Sequence, residues 1–284
     1  MNNAINDSII IVGPVGAGKS LMSKELGIKT GMPVISTDLM SHCPHSIAEI
    51  EAEKNQIINE ITDLNNQLQT CEDMEMRRHL ESKLWSKKND VWVCDRQIQM
   101  RKILPNVRNF KDMGFIGKLS DYVRENFGPV AWHFYRKQFE NQLLKDIITQ
   151  LDTPAIIDMG GGMAISLDEE YAKISSNLKQ HNPELYEEFN QYINMQNVGF
   201  DIIQEQLSKC PNVVELILPE NFKTTMSKAG GNEALNNKFI QSGQYSQVAN
   251  IHIPVDGLIK DNSYNPKILN KMVNQIETNL EHIM

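Results

Sequence analysis

Five short apolar runs punctuate the chain, each bounded by turn-forming or charged residues: Ser8–Val12, Met32–Ser36, Pro154–Asp158, Val213–Leu218 and Val248–Val255. Runs of this length predict strands, and the unbroken apolar ones, Ser8–Val12 and Pro154–Asp158, predict buried strands. Between them the pattern changes to helical spacing. Leu21, Met22 and Leu26 open a helix after the first run, Val130 to Gln150 form one before the third, and a last helix covers about Pro266 to His282. Strands alternating with helices predict an α/β fold, a parallel five-stranded sheet with helices on both faces. Ligands of such sheets gather at the carboxyl ends of the strands. Gly13, Asp38, Asp158 and Pro219 fall there.

The stretch from about Ser46 to Leu68 differs in kind. Ile47, Ile50, Lys54, Ile57, Ile61, Leu64 and Leu68 recur three and four residues apart, a heptad seam interrupted by one lysine. Thr70–Asp73 breaks it, with Thr70 or Asp73 as a cap. A second helical stretch runs through Leu80, Leu84 and Trp85 to about Ile103. These features predict an antiparallel helical hairpin over 46–103 that packs on itself; a surface that grips a partner protein is the alternative use. Residues 167–208 also carry helical periodicity, broken at Pro183.

The turn after the first strand, Gly13-Pro14-Val15-Gly16-Ala17-Gly18-Lys19-Ser20, fits G-x-x-x-x-G-K-[ST]. In a strand–turn–helix setting this pattern cradles a polyphosphate with backbone N–H groups and the positive end of the helix. Lys19 is expected to reach the β- and γ-phosphates of ATP, and the Ser20 hydroxyl to take one position on Mg²⁺. The plainer alternative is a glycine-rich turn without a ligand. Asp158 ends an apolar strand, where an acidic residue serves Mg²⁺ in phosphate-loop enzymes, or else it is a turn aspartate. Asp38 ends the second strand and is a candidate to orient or deprotonate an acceptor hydroxyl, with helix capping as its plainer role. Gly160, Gly161 and Gly162 let a backbone approach a ligand closely, although a tight turn would also use them.

Composition changes the picture in three places. The chain has 284 residues, 40% of them apolar, enough for one generous core. No apolar run approaches the ~20 residues that span a bilayer, and Met1–Asp7 lacks the order of a signal peptide. A cytoplasmic protein with no membrane partner is expected. The net charge of −8 argues against nucleic acid as a general partner. All seven arginines nevertheless lie between positions 77 and 136, where a small anionic substrate could be held. Cys43, Cys71, Cys94 and Cys210 form no close pair and read as reduced. His42-Cys43-Pro44-His45 is either a soft-metal site or, more plainly, a polar loop.

Taken in order, Gly13–Ser20, Val34–Asp38, Tyr135-Arg136 with Glu140, and Ala155–Gly162 resemble the shikimate kinases and their relatives among small P-loop kinases. Gln244–Asn250 looks like the Tyr-x-x-x-Ala-Asp stretch of that family. The resemblance covers about 8–38 and 128–166, and more faintly 212–256. It implies a kinase core over 1–45 and 128–284, a lid at about 219–235, and an inserted acceptor-side subdomain over 46–127. It further implies that Gly160, Gly161 and Gly162 line the acceptor site, that Arg136 pairs with an acceptor carboxylate, and that Asp38 holds the reacting hydroxyl.

The chain departs from the family at three points. Ser36 stands where one of two aspartates is usual, which leaves the metal role to Asp158. Gln241 replaces a second substrate arginine. No arginine follows position 136, so Lys223 and Lys228 are the lid's candidate charges. A compensating substrate arginine is expected among Arg96, Arg101, Arg108 and Arg124, with Arg108 the first choice. The leading expectation is transfer of the γ-phosphoryl of ATP to a hydroxyl of a small anionic metabolite. The alternatives are a nucleotide-binding switch that uses the hairpin, and an effector- or toxin-like kinase.

Overall fold

The computed structural model describes residues 3–112, 117–193, 198–220, 232–260 and 263–283. The five apolar runs form β1 (Ile9–Val12), β2 (Val34–Ser36), β3 (Ile156–Asp158), β4 (Val213–Ile217) and β5 (Ile251–Pro254). All four pairings are parallel, in the order β2-β3-β1-β4-β5. A small antiparallel pair, β6 (Ile259–Lys260) and β7 (Ser263–Tyr264), stands apart from this sheet. The helices are α1 (Lys19–Thr30), α2 (Thr37–Ser41), α3 (Ile47–Thr70), α4 (Met74–Ile103), α5 (Gly117–Gln150), α6 (Asp168–His181), α7 (Pro183–Tyr192), α8 (Phe200–Leu207), α9 (Glu233–Gln241), α10 (Gln244–Val248) and α11 (Pro266–Ile283).

Side chains alternate across a strand, so β1 feeds two cores. Ile9 and Ile11 join Met22 and Leu26 of α1 and Leu269, Met272 and Ile276 of α11. Ile10 and Val12 join the opposite cluster, which includes Phe134, Leu143 and Ile147 of α5. Each such side chain contributes about 1.5–3 kcal/mol when fully buried. Apolar runs without alternation are the sequence consequence. α5 is not continuous: Gly128 has φ 86°, and Pro129 follows it. Gly128-Pro129 is therefore a break between two helical segments, as the sequence implies.

α3 and α4 form the expected hairpin. Ser46 caps α3 by accepting from the Glu49 N–H, and Asp73 caps α4 by accepting from the Met76 N–H at 2.8 Å. Lys54, the interruption in the seam, is neutralised by Asp95 on α4 at 2.5 Å. The base of α4 also does something the heptad pattern does not reveal. β2 is an edge strand, and the Arg96 guanidinium donates to the Val34 carbonyl at 3.2 Å while the Ser36 N–H donates to the Met100 sulfur at 3.3 Å. α4 thus seals a sheet edge that would otherwise expose unpaired backbone groups. No helix among the described residues is long and apolar enough to cross a membrane.

Candidate functional site

The phosphate-loop motif forms the turn from β1 to α1. Gly13, Gly16 and Gly18 have φ of 143°, 81° and 86°, a region that side-chain-bearing residues rarely enter. Gly13 faces a second constraint, because a Cβ there would lie 2.8 Å from the Leu216 carbonyl oxygen on β4. Gly18, at the capping position before α1, offers no side-chain cap, and the first turn of α1 has no acidic residue. Its leading N–H groups and dipole are left for an anion. Lys19 is buried, and its ammonium donates to the carbonyls of Gly13 and Pro14, each at 2.9 Å. Burial pulls its pKa down, and the carboxylates of Asp158 and Asp38 work against that pull.

Asp158 lies level with Ile11 of β1 and Ser36 of β2 in the sheet. The Ser20 hydroxyl donates to its carboxylate, while burial raises its pKa. A hydroxyl and a carboxylate already in contact, beside a helix N-terminus, are hard oxygen donors that suit Mg²⁺. That ion commonly takes one or two protein ligands and completes its shell with phosphate and water. Among the described residues no group of three His, Cys, Asp or Glu gathers to hold a metal. In the His42–His45 segment, the Cys43 thiol points to the carbonyls of Pro44 and Gln97, His42 packs edge-on to Phe110, and His45 pairs with Asp112. It is a loop.

Beside the phosphate loop lies a second cavity of about 200 Å³, lined by Asp38, Arg136, Glu140, the three glycines and the rings of Trp132, His133 and Phe239. Ser36 caps α2 and thereby places Asp38 in its first turn. The capping role once open to Asp38 therefore belongs to Ser36. Gly160 lies against Asp38, and a Cβ there would push the Asp38 carboxylate aside. A Cβ on Gly161 would lie 2.6 Å from Val15 of the phosphate loop. Each glycine is also pinned: Thr37 accepts from the Gly160 N–H at 2.8 Å, Tyr245 donates to the Gly161 carbonyl, and Lys137 donates to the Gly162 carbonyl at 2.6 Å. Arg136 is wedged between the rings of Trp132 and Phe110, at 5.0 and 5.2 Å, and bonds Glu140 at 3.2 Å.

Charge in this cavity is strongly organised. Burial alone would raise the Glu140 carboxyl, but Lys137 and then Arg136 outweigh it and hold it at about 2. Burial, then the Lys137 charge, pushes His133 down to about 3. Both shifts act in one direction on stability. The unfolded chain binds a proton at His133 below 6.5 and at Glu140 below 4.5, while the folded chain resists both. The contribution of these two groups to stability is therefore fully present above pH 6.5 and declines as pH falls towards 3. Urea unfolding at fixed pH should show this fall, and His133→Gln should flatten its part between 6.5 and 4.5. A profile that is level over that range in the unaltered protein would contradict the assignment.

The structure brings Gly13, Pro14, Val15, Gly16, Ala17, Gly18, Lys19, Ser20, Asp38, Arg136, Asp158, Gly160, Gly161 and Gly162 to one rim of the sheet. It does not bring the compensating arginines there. Arg108, the first choice, forms a two-pronged pair with Asp146 of α5 at 2.8 Å for both contacts. Arg101 is buried on the carbonyls of Cys43, Pro44 and Val107, Arg96 seals β2, and Arg124 bonds its neighbour Asp121. None of the four lines the cavity. Lys223 and Lys228 lie outside the described residues. Gln241 lines a separate groove with Asp168, not this cavity.

Sequence reasoning missed Thr37, Trp132, His133, Lys137 and Phe239. A buried lysine on a helix reads as a solvated face, and only its contacts correct that reading. Neither a scan of protein-family models nor a comparison with curated proteins finds a match for this chain.

Proposed function

We propose that the protein transfers the γ-phosphoryl group of ATP to a hydroxyl of a small anionic metabolite. The observation that carries this reading is the adjacency of two differently built pockets. One is an uncapped helix N-terminus with a buried lysine; the other is a cavity holding a carboxylate and a guanidinium. A nucleotide switch needs the first but has no use for the second. The resemblance to shikimate kinases supports the same reading, and a cytoplasmic location belongs to it.

In this reading the phosphate-loop amides and Lys19 hold the triphosphate. Ser20 and Asp158 are the residues that would hold Mg²⁺, which when bound neutralises charge on the phosphate oxygens. Arg136 receives an anionic group of the acceptor, with Glu140 and the two rings fixing its plane. Asp38 accepts the proton of the acceptor hydroxyl as its oxygen bonds to the γ-phosphorus. The bond from that phosphorus to the β–γ bridging oxygen breaks, and ADP leaves with the electron pair. The wall of glycines lets the acceptor lie against the backbone beside the phosphate loop.

Coupled ADP release over a panel of hydroxy acids tests the proposal. At least one acid should raise turnover above basal ATP hydrolysis. ATP binding with no acid raising the rate would favour the switch instead.

A further inference from the structure

Lys137 lies on α5 one position past Arg136, yet its side chain is wholly buried. Its ammonium has three donors, and the structure supplies three acceptors: the carbonyls of Gly162 at 2.6 Å and Met163 at 3.1 Å, and the Glu140 carboxylate at 2.9 Å. The other oxygen of Glu140 bonds Arg136. A continuous chain of charge-assisted contacts therefore runs from the glycine wall through Lys137 and Glu140 to the cavity's guanidinium. Thr37 and Tyr245 also pin glycines of this wall, but their hydrogen bonds run to backbone groups of the β3 end and the glycine turn, not to Glu140 or Arg136.

We infer that Lys137 is a positioning residue for the acceptor, fixing the spacing between the glycine wall and the Arg136 guanidinium. This inference rests on the kinase reading and deepens it. A lysine taken out of water is costly, and a hydrophobic side chain of similar length would fill the same space. What methionine could not do is join the glycine wall to Glu140, the partner of Arg136, through polar contacts of fixed length. Misplacement of a bound group by about 1 Å can cost on the order of 10²-fold in rate. Lys137 touches no reacting atom in this arrangement and acts only through the wall and Arg136.

Two variants separate positioning from stability: Lys137→Met, and the double variant Lys137→Met with Glu140→Gln, which removes the buried charges as a pair. Two readouts are needed. The first is amide hydrogen exchange, which requires no turnover. Lys137→Met and the double variant should speed exchange across Gly161–Ile165 about tenfold or more, with the phosphate-loop amides unchanged. The second is steady-state kinetics with the most active hydroxy acid of the panel. Acceptor KM should rise about 10- to 100-fold in both, with ATP KM within about twofold of the unaltered value. Unchanged exchange across 161–165 overturns the inference, as does a parallel rise in both KM values. Faster exchange in a protein that no hydroxy acid stimulates would sink the kinase reading, and with it the acceptor role of Lys137, while leaving the pin itself in place.

Discussion

Replacing Lys19 with alanine should weaken ATP binding about 10- to 100-fold and slow phosphoryl transfer by a further 10²- to 10³-fold. The first figure follows from losing a hydrogen bond to a charged group, about 1.5–3 kcal/mol. The second is the usual cost of removing one donor aimed at developing negative charge. Folding should scarcely suffer. Lys19 is buried at a cost that lowers its pKa, and its hydrogen bonds among the described residues are to the carbonyls of Gly13 and Pro14. In the absence of nucleotide the alanine variant should melt within a few degrees of the unaltered protein. Calorimetric titration with ATP and Mg²⁺, paired with thermal unfolding, reads both effects. Equal affinity in the variant would mean that the nucleotide lies elsewhere, or that the turn binds none.

Asp38→Asn should lower acceptor-stimulated turnover by about 10²- to 10⁴-fold, the span usual for a positioned acid or base. Its ATP affinity should be unchanged. Asparagine retains the shape of Asp38 against Gly160, so the cavity is preserved while the proton acceptor is lost. A pH dependence accompanies this. Burial, then the Glu140 charge, raises Asp38 above its ordinary 3.8, with Lys19 and Arg136 opposing. A base must be unprotonated to act, so turnover should rise with pH through a point above the usual carboxylate range. Below that point Asp38 is protonated and the rate falls. Stopped-flow rates at saturating ATP check this, since folding losses at low pH appear separately as lost amplitude. Full turnover in the Asp38→Asn variant would remove Asp38 from the chemistry.

Much of the architecture was legible in the chain. Short apolar runs marked all five strands; β1, covered on both faces, has no polar side, whereas the edge strand β5 alternates, with Ile251 and Ile253 buried and His252 and Pro254 exposed. The seam from Ile47 to Leu68 marked the hairpin, and Gly128-Pro129 marked the break in α5. The phosphate loop was legible because its glycines answer to backbone conformation, which leaves a local trace. Arg108 shows where local reading stops. It sits in a loop-like segment suited to a ligand, yet its partner Asp146 is 38 residues further on. Nothing near position 108 reports that pairing. Lys137 is the converse case, a charged residue whose carboxylate partner Glu140 lies three residues on in the same helix, but whose carbonyl partners, Gly162 and Met163, appear only when α5 meets the loop after β3. The sealing of β2 by Arg96 and Met100 is likewise a contact between elements 62 or more residues apart.

Label transfer asks of the protein itself whether the turn after β1 delivers a γ-phosphoryl group to an alcohol held beside it. ATP carrying ³²P in the γ position is incubated with Mg²⁺ and each hydroxy acid, and the products are separated. With at least one acid, label should appear on the organic acceptor as a phosphate ester in step with ADP. Lys19→Ala and Asp38→Asn should each slow that transfer by about 10²-fold or more. Label recovered only as inorganic phosphate, at a rate indifferent to acceptor and to Asp38, would contradict it.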